Sequence, residues 1–236
     1  MATSPAGARA PIGFAHRGAR DERRENTLDA FERALELGAT GLESDAWLTA
    51  DGVVVLDHDG VAGPFWRRRP LSVLPRASLP GHIPSLEELY GRCGSAFELS
   101  LDVKDPAALG AIIDTAQGAG AAGRLWLCGA DWRQPTASTR SASGAHLVES
   151  TSLAKMREGL AGHAARLAQV GVSAINLHRN QWNRDRVGEV HSSGLAAFGW
   201  DAQSRADIDT LLDCGVDGLY SDHVDRMMTA IRRRRP

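Results

Sequence analysis

The fold is decided by residues 12–48, which read IGFAHRGARDERRENTLDAFERALELGATGLESDAWL. Two short runs, residues 12–16 and 41–48, have the apolar content and length of strands. Residues 27–38 between them carry apolar side chains at helical spacing, and Gly38 is a typical C-terminal stop for a helix. This order predicts a repeat in which two parallel strands are joined by one helix.

The same rhythm continues to the end of the chain. Further β-like runs lie at residues 97–103, 125–128, 145–148, 172–177, 195–200 and 218–220. The helix-like segments between them include SLEELYGRCG, which starts with Ser85 as an N-cap, DIDTLLDCG, and the final VDRMMTAIRRRR. Eight strands, each followed by a helix or something near one, predict an α/β fold of the (β/α)8 TIM-barrel type. A doubly wound open sheet is the alternative, although no GxGxxG or Walker A loop supports it.

One segment interrupts this rhythm after the second strand. Residues 49–84 contain a second β-like run, VVVLDH, and then the stretch GPFWRRRPLSVLPRASLPGHIP. We interpret it as an insertion, at about residues 58–84, within a single catalytic domain of residues 1–236. Loops that follow strand carboxyl ends carry the sites of barrel enzymes. The arginines of residues 67–69, next to Phe65 and Trp66, fit either a solvated basic loop or a contact with an anionic head group or membrane surface.

The composition narrows the possible classes of function. The 236 residues carry 27 Lys and Arg against 29 Asp and Glu, for a net charge of -2, so a strongly basic nucleic-acid binder is disfavoured. No apolar run approaches the roughly 20 residues of a spanning helix, and the N-terminus lacks the long apolar stretch of a secretory signal. We therefore expect a soluble, cytoplasmic protein without a transmembrane segment.

Two of the predicted strands carry acidic side chains. If GLESDAWL is extended, Glu43 and Asp45 point to the same side. In FELSLDVKD, Asp102 and Lys104 lie opposite an apolar face that would pack on helices. Adjacent strands would bring the three carboxylates together as a site for Mg²⁺ or Ca²⁺, and Lys104, one of two lysines, would face an anionic substrate. Ordinary surface acids and a structural ion pair between Asp102 and Lys104 are the alternatives.

Two histidines follow β-like runs near these acids. His16 ends the first run, and His58 ends the run VVVLDH. Two imidazoles beside a metal-bound phosphate could serve as general base and general acid in an in-line displacement. Each histidine alone would more often be a surface or capping residue.

The ordered motifs of the chain resemble the glycerophosphodiester phosphodiesterase family. The motifs are HRGARDERRENT, LESDAWLTADGVVVLDHD, IPSLEELY, LSLDVK, FGWDAQ and GVDGLYSDHVDRM. They extend over nearly the whole chain, and the most specific part runs from His16 to Asp59. The resemblance implies a barrel with a small insertion and a divalent metal that supports hydrolysis of a diester between glycerol phosphate and an alcohol.

The resemblance also implies roles for individual residues. His16 and His58 become the acid and base pair, Glu43, Asp45 and Asp102 the metal ligands, and Arg17 and Lys104 the groups that hold the phosphate. Trp200 could form an apolar wall for the substrate or lie in the core. Glu25 and Asn26 match the motif before the first helix, where Asn26 could simply be the N-cap. The chain departs from the family at Asp102, where a glutamate is usual, and in the insertion, so the alcohol stays open.

Three functions are compatible with this pattern. The first is metal-dependent hydrolysis of small glycerophosphodiesters, by attack of water or of the neighbouring glycerol hydroxyl. The second is a phosphodiesterase resembling lysophospholipase D or phospholipase C, supported by Phe65, Trp66 and the arginines beside them. The third is a non-catalytic barrel that binds a phosphorylated ligand or a metal.

Overall fold

The computed structural model describes residues 10–129 and 144–234. Its strands are β1 (Ile12–His16), β2 (Gly41–Leu48), β3 (Val54–Leu56), β4 (Val61–Ala62), β5 (Arg69–Pro70), β6 (Glu98–Val103), β7 (Leu125–Gly129), β8 (His146–Ser150), β9 (Ala174–His178), β10 (Ala196–Trp200) and β11 (Gly218–Ser221). Its α-helices are α1 (Leu28–Glu36), α2 (Leu86–Cys93), α3 (Leu109–Gly118), α4 (Gly159–Gln169), α5 (Arg184–Ser192), α6 (Arg205–Cys214) and α7 (Val224–Arg233).

Eight of these strands form a closed parallel barrel. The order around it is β1, β2, β6, β7, β8, β9, β10 and β11, and β11 pairs with β1 to close the circle. The predicted TIM barrel is therefore confirmed, and the open doubly wound sheet is wrong. Because all eight strands are parallel, their carboxyl ends lie at one end of the barrel.

Aromatic rings fill part of the interior of the barrel. The ring of Phe14 on β1 stacks on Tyr220 of β11 at 4.6 Å and meets Phe198 of β10 edge-on at 5.5 Å. Gly41 and Gly218 leave room for these rings, since a Cβ atom at Gly41 would lie 2.5 Å from the Phe14 ring. The apolar faces of β2 and β6, including Leu42 and Leu99, belong instead to the core shared with the helices, as the alternation in the sequence predicts.

The helix ends follow local sequence rules. Ser85 and Glu88 form a capping box at the start of α2, and Ser204 and Asp207 form another at α6. At α1 the N-cap is Thr27, whose hydroxyl accepts from the backbone N–H of Ala30. Asn26 is therefore not the N-cap, and its side chain is buried in the site described below.

The segment after β2 adds a small antiparallel layer. Strand β3 pairs with β2, and β4 pairs with β5 to form a hairpin. The segment is held by its own apolar cluster of buried residues, namely Val55, Ala62, Leu71, Leu74, Leu79 and Ile83. It lies beside the carboxyl end of β2, where the predicted insertion was expected.

Candidate active site

The carboxyl ends of the strands surround a cavity of about 340 Å³. Strand register brings the predicted residues together, because His16 pairs with Glu43 across β1 and β2, and Asp45 pairs with Asp102 across β2 and β6. The cavity is lined by His16, Arg17, Glu43, Ser100, Asp102, Cys128, Ser150, Asn176, Trp200, Asp201, Gln203 and Tyr220. Five of the eight predicted site residues are in this lining.

His16 is held between two carboxylates. Its Nδ1 lies 2.6 Å from Oδ1 of Asp222, and its Nε2 lies 3.8 Å from Oε2 of Glu43. Burial lowers the pKa of His16, but the negative charge of Glu43 and the hydrogen bond to Asp222 outweigh that effect, so its pKa is raised above 6.5. A histidine fixed in orientation by a carboxylate is suited to proton transfer.

Glu43 is a buried carboxyl group under the cavity. Its Oε2 accepts a hydrogen bond of 2.9 Å from the backbone N–H of Arg17. Burial raises its pKa to about 7, against the opposing charge of His16 and with a further contribution from Asp45 and Asp102. The protein thus holds a carboxylate there at an energetic cost that a nearby cation would reduce.

Lys104 joins the other two acids. Its Nζ lies 2.7 Å from Oδ2 of Asp102 and 3.1 Å from Oδ1 of Asp45. The ion pair considered as an alternative from the sequence is therefore present, and it includes Asp45 as well. Among the residues that the structure describes, no group of three His, Cys, Asp or Glu side chains has the arrangement of a metal site.

Arg17 and the loop before α1 support Asp45 from the other side. Arg17 Nε lies 3.4 Å from Oδ2 of Asp45, and its NH1 donates to Glu25 at 3.0 Å. The Asn26 amide donates to Asp45 at 3.3 Å and accepts from Ser44 Oγ at 2.7 Å. Asn26 therefore positions a buried acid rather than capping a helix.

Backbone strain is concentrated around this cavity. Within the described ranges, the non-glycine residues with left-handed φ are Arg17 at 55°, Asn26 at 53° and Asp201 at 66°. Such conformations cost free energy and persist where the surroundings impose them, often at functional sites. Here Arg17 and Asp201 line the cavity, and Asn26 contacts the buried acid behind it.

His58 lies outside the main cavity. It occupies a neighbouring depression of about 120 Å³, which it shares with Glu25, Asn26, Asp57 and other residues. Its Nδ1 lies 2.9 Å from Oδ1 of Asp59, and its side chain is 43% exposed. The two predicted catalytic histidines thus lie in adjoining depressions. Glu25 and Asn26 line the depression of His58, and they also contact Arg17 and Asp45, respectively.

Trp200 stands at the rim of the cavity, not in the core. It is 43% exposed, and its ring meets His178 edge-on at 4.6 Å. The alternative of a core tryptophan is therefore wrong.

The structure also adds Asp222 and Gln203, which sequence reasoning missed. Asp222 lies within the quoted motif GVDGLYSDHVDRM, directly after the last strand, and that position was the available signal.

Comparisons of sequence identify the family of this chain. The model of the glycerophosphoryl diester phosphodiesterase family matches residues 16–79 and 121–226. A Mycobacterium tuberculosis protein named "Probable glycerophosphodiester phosphodiesterase 2" is 25% identical over 94% of this chain and 91% of its own length. Two further sequence matches are local, with 54% and 56% identity over 46 residues, and the chain spans only 19% of the length of those two relatives.

Solved structures share the fold. The glycerophosphodiester phosphodiesterase of Thermotoga maritima has a TM-score of 0.80 and 19% identity, with 93% of this chain and 97% of that chain covered. An Oleispira antarctica phosphodiesterase in complex with the product sn-glycerol-3-phosphate has a TM-score of 0.78 and 18% identity, over 94% and 97% of the two chains. Since the family model matches well over half of the sequence, this chain belongs to the glycerophosphoryl diester phosphodiesterase family.

Proposed function

We propose that this protein is a phosphoric diester hydrolase that cleaves glycerophosphodiesters into glycerol phosphate and an alcohol. The observation that carries the proposal is His16, held by Asp222 and facing Glu43 in a cavity that Arg17 also lines. The related Oleispira antarctica enzyme was solved with sn-glycerol-3-phosphate, a ligand of a size that a cavity of about 340 Å³ can hold. We also propose that residues 1–236 act as one catalytic domain.

The chemistry assigned to the protein is an in-line displacement at phosphorus. A water molecule attacks the phosphorus as the bond to the leaving alcohol oxygen breaks. Alternatively, the neighbouring glycerol hydroxyl attacks and expels the alcohol, and water then opens the resulting cyclic phosphate to glycerol phosphate. His16 and His58 would form the acid and base pair, one taking the proton of the nucleophile and the other giving a proton to the leaving oxygen. Arg17 and Lys104 would hold the phosphate and meet the charge of the transition state.

A divalent cation fits the acids in donor chemistry. Glu43, Asp45 and Asp102 supply the carboxylate oxygens that Mg²⁺ and Ca²⁺ prefer, and the pKa of Glu43, raised to about 7, marks a place where another positive charge would be stabilising. When bound, the ion would supply Lewis-acid stabilisation of the phosphoryl oxygens. These three residues are proposed to hold it.

Lys104 would compete with that cation for Asp45 and Asp102. The Lys104→Met substitution removes the ammonium group, which lies within 3.1 Å of both carboxylates. We therefore expect tighter divalent-cation binding by calorimetry but slower turnover, because a phosphate contact is lost as well. Weaker cation binding in this variant would contradict the proposed ligand set.

Activity on defined diesters tests the proposed function. The purified protein is incubated with glycerophosphocholine or glycerophosphoethanolamine and Mg²⁺, Ca²⁺ or Mn²⁺, and glycerol phosphate is measured with and without chelator. His16→Ala and His58→Ala should each lower turnover by roughly 10²- to 10⁴-fold, with cation affinity mostly retained. Glu43→Gln and Asp45→Asn should first weaken cation binding.

His191→Ala is the matched control, because that histidine is exposed and pairs with Asp217 away from the cavity. No product with any cation would sink the proposal for these substrates. Tight diester binding without turnover, unchanged in His16→Ala, would instead favour a non-catalytic binding barrel. Turnover restricted to lysophospholipids would favour the alternative function, a phosphodiesterase that resembles lysophospholipase D or phospholipase C.

A further inference from the structure

We propose that the tip of the β4–β5 hairpin, residues 65–69, docks onto the surface of an anionic phospholipid bilayer. This docking tip consists of Phe65, Trp66 and three arginines. It is separate from the cavity in which hydrolysis is proposed, so membrane binding and activity can be measured independently.

The two aromatic side chains of the docking tip are almost fully exposed. Phe65 is 85% exposed and Trp66 is 84% exposed, far above the 49% of Val73. Adjacent large apolar side chains at such exposure are costly on a surface that meets only water. Aromatic residues of this kind, and tryptophan above all, are favoured where water meets lipid.

The arginines give the docking tip a positive charge that the protein leaves largely uncompensated. In residues 10–129 and 144–234, no carboxylate lies within ion-pair distance of Arg67 or Arg69. Arg68 makes a single long contact, 3.7 Å to Asp59. A cluster of exposed cations beside aromatic rings complements an anionic lipid surface in both charge and polarity.

The base of the hairpin gives the docking tip a fixed support. Ala62 pairs with Arg69, and the backbone N–H of Leu71 donates to the carbonyl of Gly60 at 2.9 Å. Ala62 and Leu71 are both buried in the apolar cluster of the insertion. The exposed side chains therefore project from a folded platform, so little ordering would be needed when they meet a surface.

The docking tip is also connected to the proposed catalytic machinery. Asp59 contacts Arg68 on one side and Nδ1 of His58 on the other, at 2.9 Å. The hairpin follows β3, which pairs with the last residues of β2, and Glu43 of β2 lines the cavity. A membrane bound at the docking tip would thus lie at the same end of the barrel as the cavity mouth, close to substrates released from or held in the bilayer.

Vesicle co-sedimentation tests the inference directly. Vesicles of phosphatidylcholine mixed with phosphatidylglycerol should bind the wild-type protein, whereas pure phosphatidylcholine vesicles and high salt should reduce binding. At about fivefold per arginine, Arg67→Gln with Arg69→Gln should weaken binding by more than tenfold. Phe65→Ser with Trp66→Ser should weaken it to a similar degree.

The chain offers matched controls for both pairs of changes. Arg232→Gln with Arg233→Gln removes the same charge at the exposed end of α7, away from the hairpin, and Val170→Ser changes another exposed apolar residue. These controls should bind like the wild type. All changed residues are exposed, and substitutions at exposed sites change the free energy of unfolding by no more than about 0.5 kcal/mol. The melting temperature of each variant should therefore stay within about 1 °C to 2 °C of the wild-type value.

Three results would overturn the inference. They are no binding of the wild type to anionic vesicles at low salt, equal losses in the docking-tip and control variants, and concentration-dependent self-association that Phe65→Ser with Trp66→Ser abolishes without any vesicle binding. The last result would identify a second copy of the chain as the occupant. Hydrolysis of soluble glycerophosphocholine should be unchanged in Arg67→Gln with Arg69→Gln, so failure of this inference is distinguishable from failure of the proposed function.

Discussion

Glu43 and His16 depend on each other for their charge states. Glu43 is only 7% exposed and accepts from a backbone N–H, while His16 is flanked by Glu43 and Asp222. Each charge is tolerated because the other compensates its desolvation. Single changes here should therefore act mainly through the titration of a neighbour.

Asp222→Asn should lower the pKa of His16. The exchange removes a negative charge that now lies 2.6 Å from Nδ1 and, together with Glu43, raises the pKa of this histidine. NMR titration of the His16 ring protons in metal-free protein would measure the change, and the limb of the activity profile assigned to His16 should move to lower pH with it. An unchanged His16 pKa would show that Asp222 does not stabilise the charged ring.

Glu43→Gln should remove a pH-dependent loss of stability. Because burial raises the pKa of Glu43 from 4.5 to about 7, the folded state binds its proton more tightly than the unfolded state. The contribution is fully present below pH 4.5 and is lost as pH rises through about 7. At pH 8, the metal-free variant should therefore have a higher free energy of unfolding than the wild type, by at most about 3 kcal/mol.

Urea unfolding between pH 4 and pH 8 in the presence of chelator would measure this effect. Glu87→Gln, on an exposed position of α2, is the control and should leave the pH dependence unaltered. If wild type and Glu43→Gln lost stability in parallel across the range, the burial of a charged Glu43 would not be a cost to the fold.

At the scale of strands and helices, close packing inside the barrel fixes where side chains can be added. Gly41 on β2 lies against the Phe14 ring, and a Cβ atom there would be 2.5 Å from a ring carbon. Phe14 is fully buried and stacked on Tyr220, so it has little room to move. The glycine is thus a packing requirement of the barrel interior.

Gly41→Ala should therefore lower the free energy of unfolding by about 1 to 3 kcal/mol. The matched control is Gly188→Ala on the exposed face of α5, where an added Cβ atom meets nothing within 4 Å. That change should be neutral or stabilising by up to about 1 kcal/mol. Chemical denaturation of both variants would measure the difference, and equal stabilities would mean that the Phe14 ring can shift at no cost.

At the scale of the whole molecule, none of the helices in residues 10–129 and 144–234 could span a membrane.

The arrangement of charge in the molecule links cation binding to pH. The acids that we propose as cation ligands, Glu43, Asp45 and Asp102, lie on two adjacent strands of the barrel. Any cation that binds them must compete with protons as well as with Lys104.

Mg²⁺ or Ca²⁺ should therefore raise the melting temperature more at pH 8 than at pH 5, because Glu43 is largely ionised only at the higher pH. Thermal unfolding with and without the cation, at matched ionic strength, would measure the effect. Glu43→Gln should reduce the pH difference. Equal shifts at both pH values in the wild type would mean that the cation binds elsewhere.

Local patterns in the sequence determined a large part of this protein. Strand periodicity assigned Leu42 and Leu99 to the helix-facing core, and the same parity placed Glu43 and Asp102 on the opposite face. The alternation of strands and helices identified the barrel, and the barrel in turn gathers strand carboxyl ends at one place. These features follow from the sequence because side-chain direction along a strand depends only on the position of each residue.

Only the tertiary structure decided which charges pair. Asp222 meets His16 although 206 residues separate them in the chain. Asn26, whose backbone adopts a left-handed φ of 53°, contacts Asp45. His58 lies in a depression separate from the main cavity, since the connection between β3 and β4 carries it there. Such contacts depend on barrel closure and on backbone conformations that the surrounding packing imposes, and no local pattern encodes either of them.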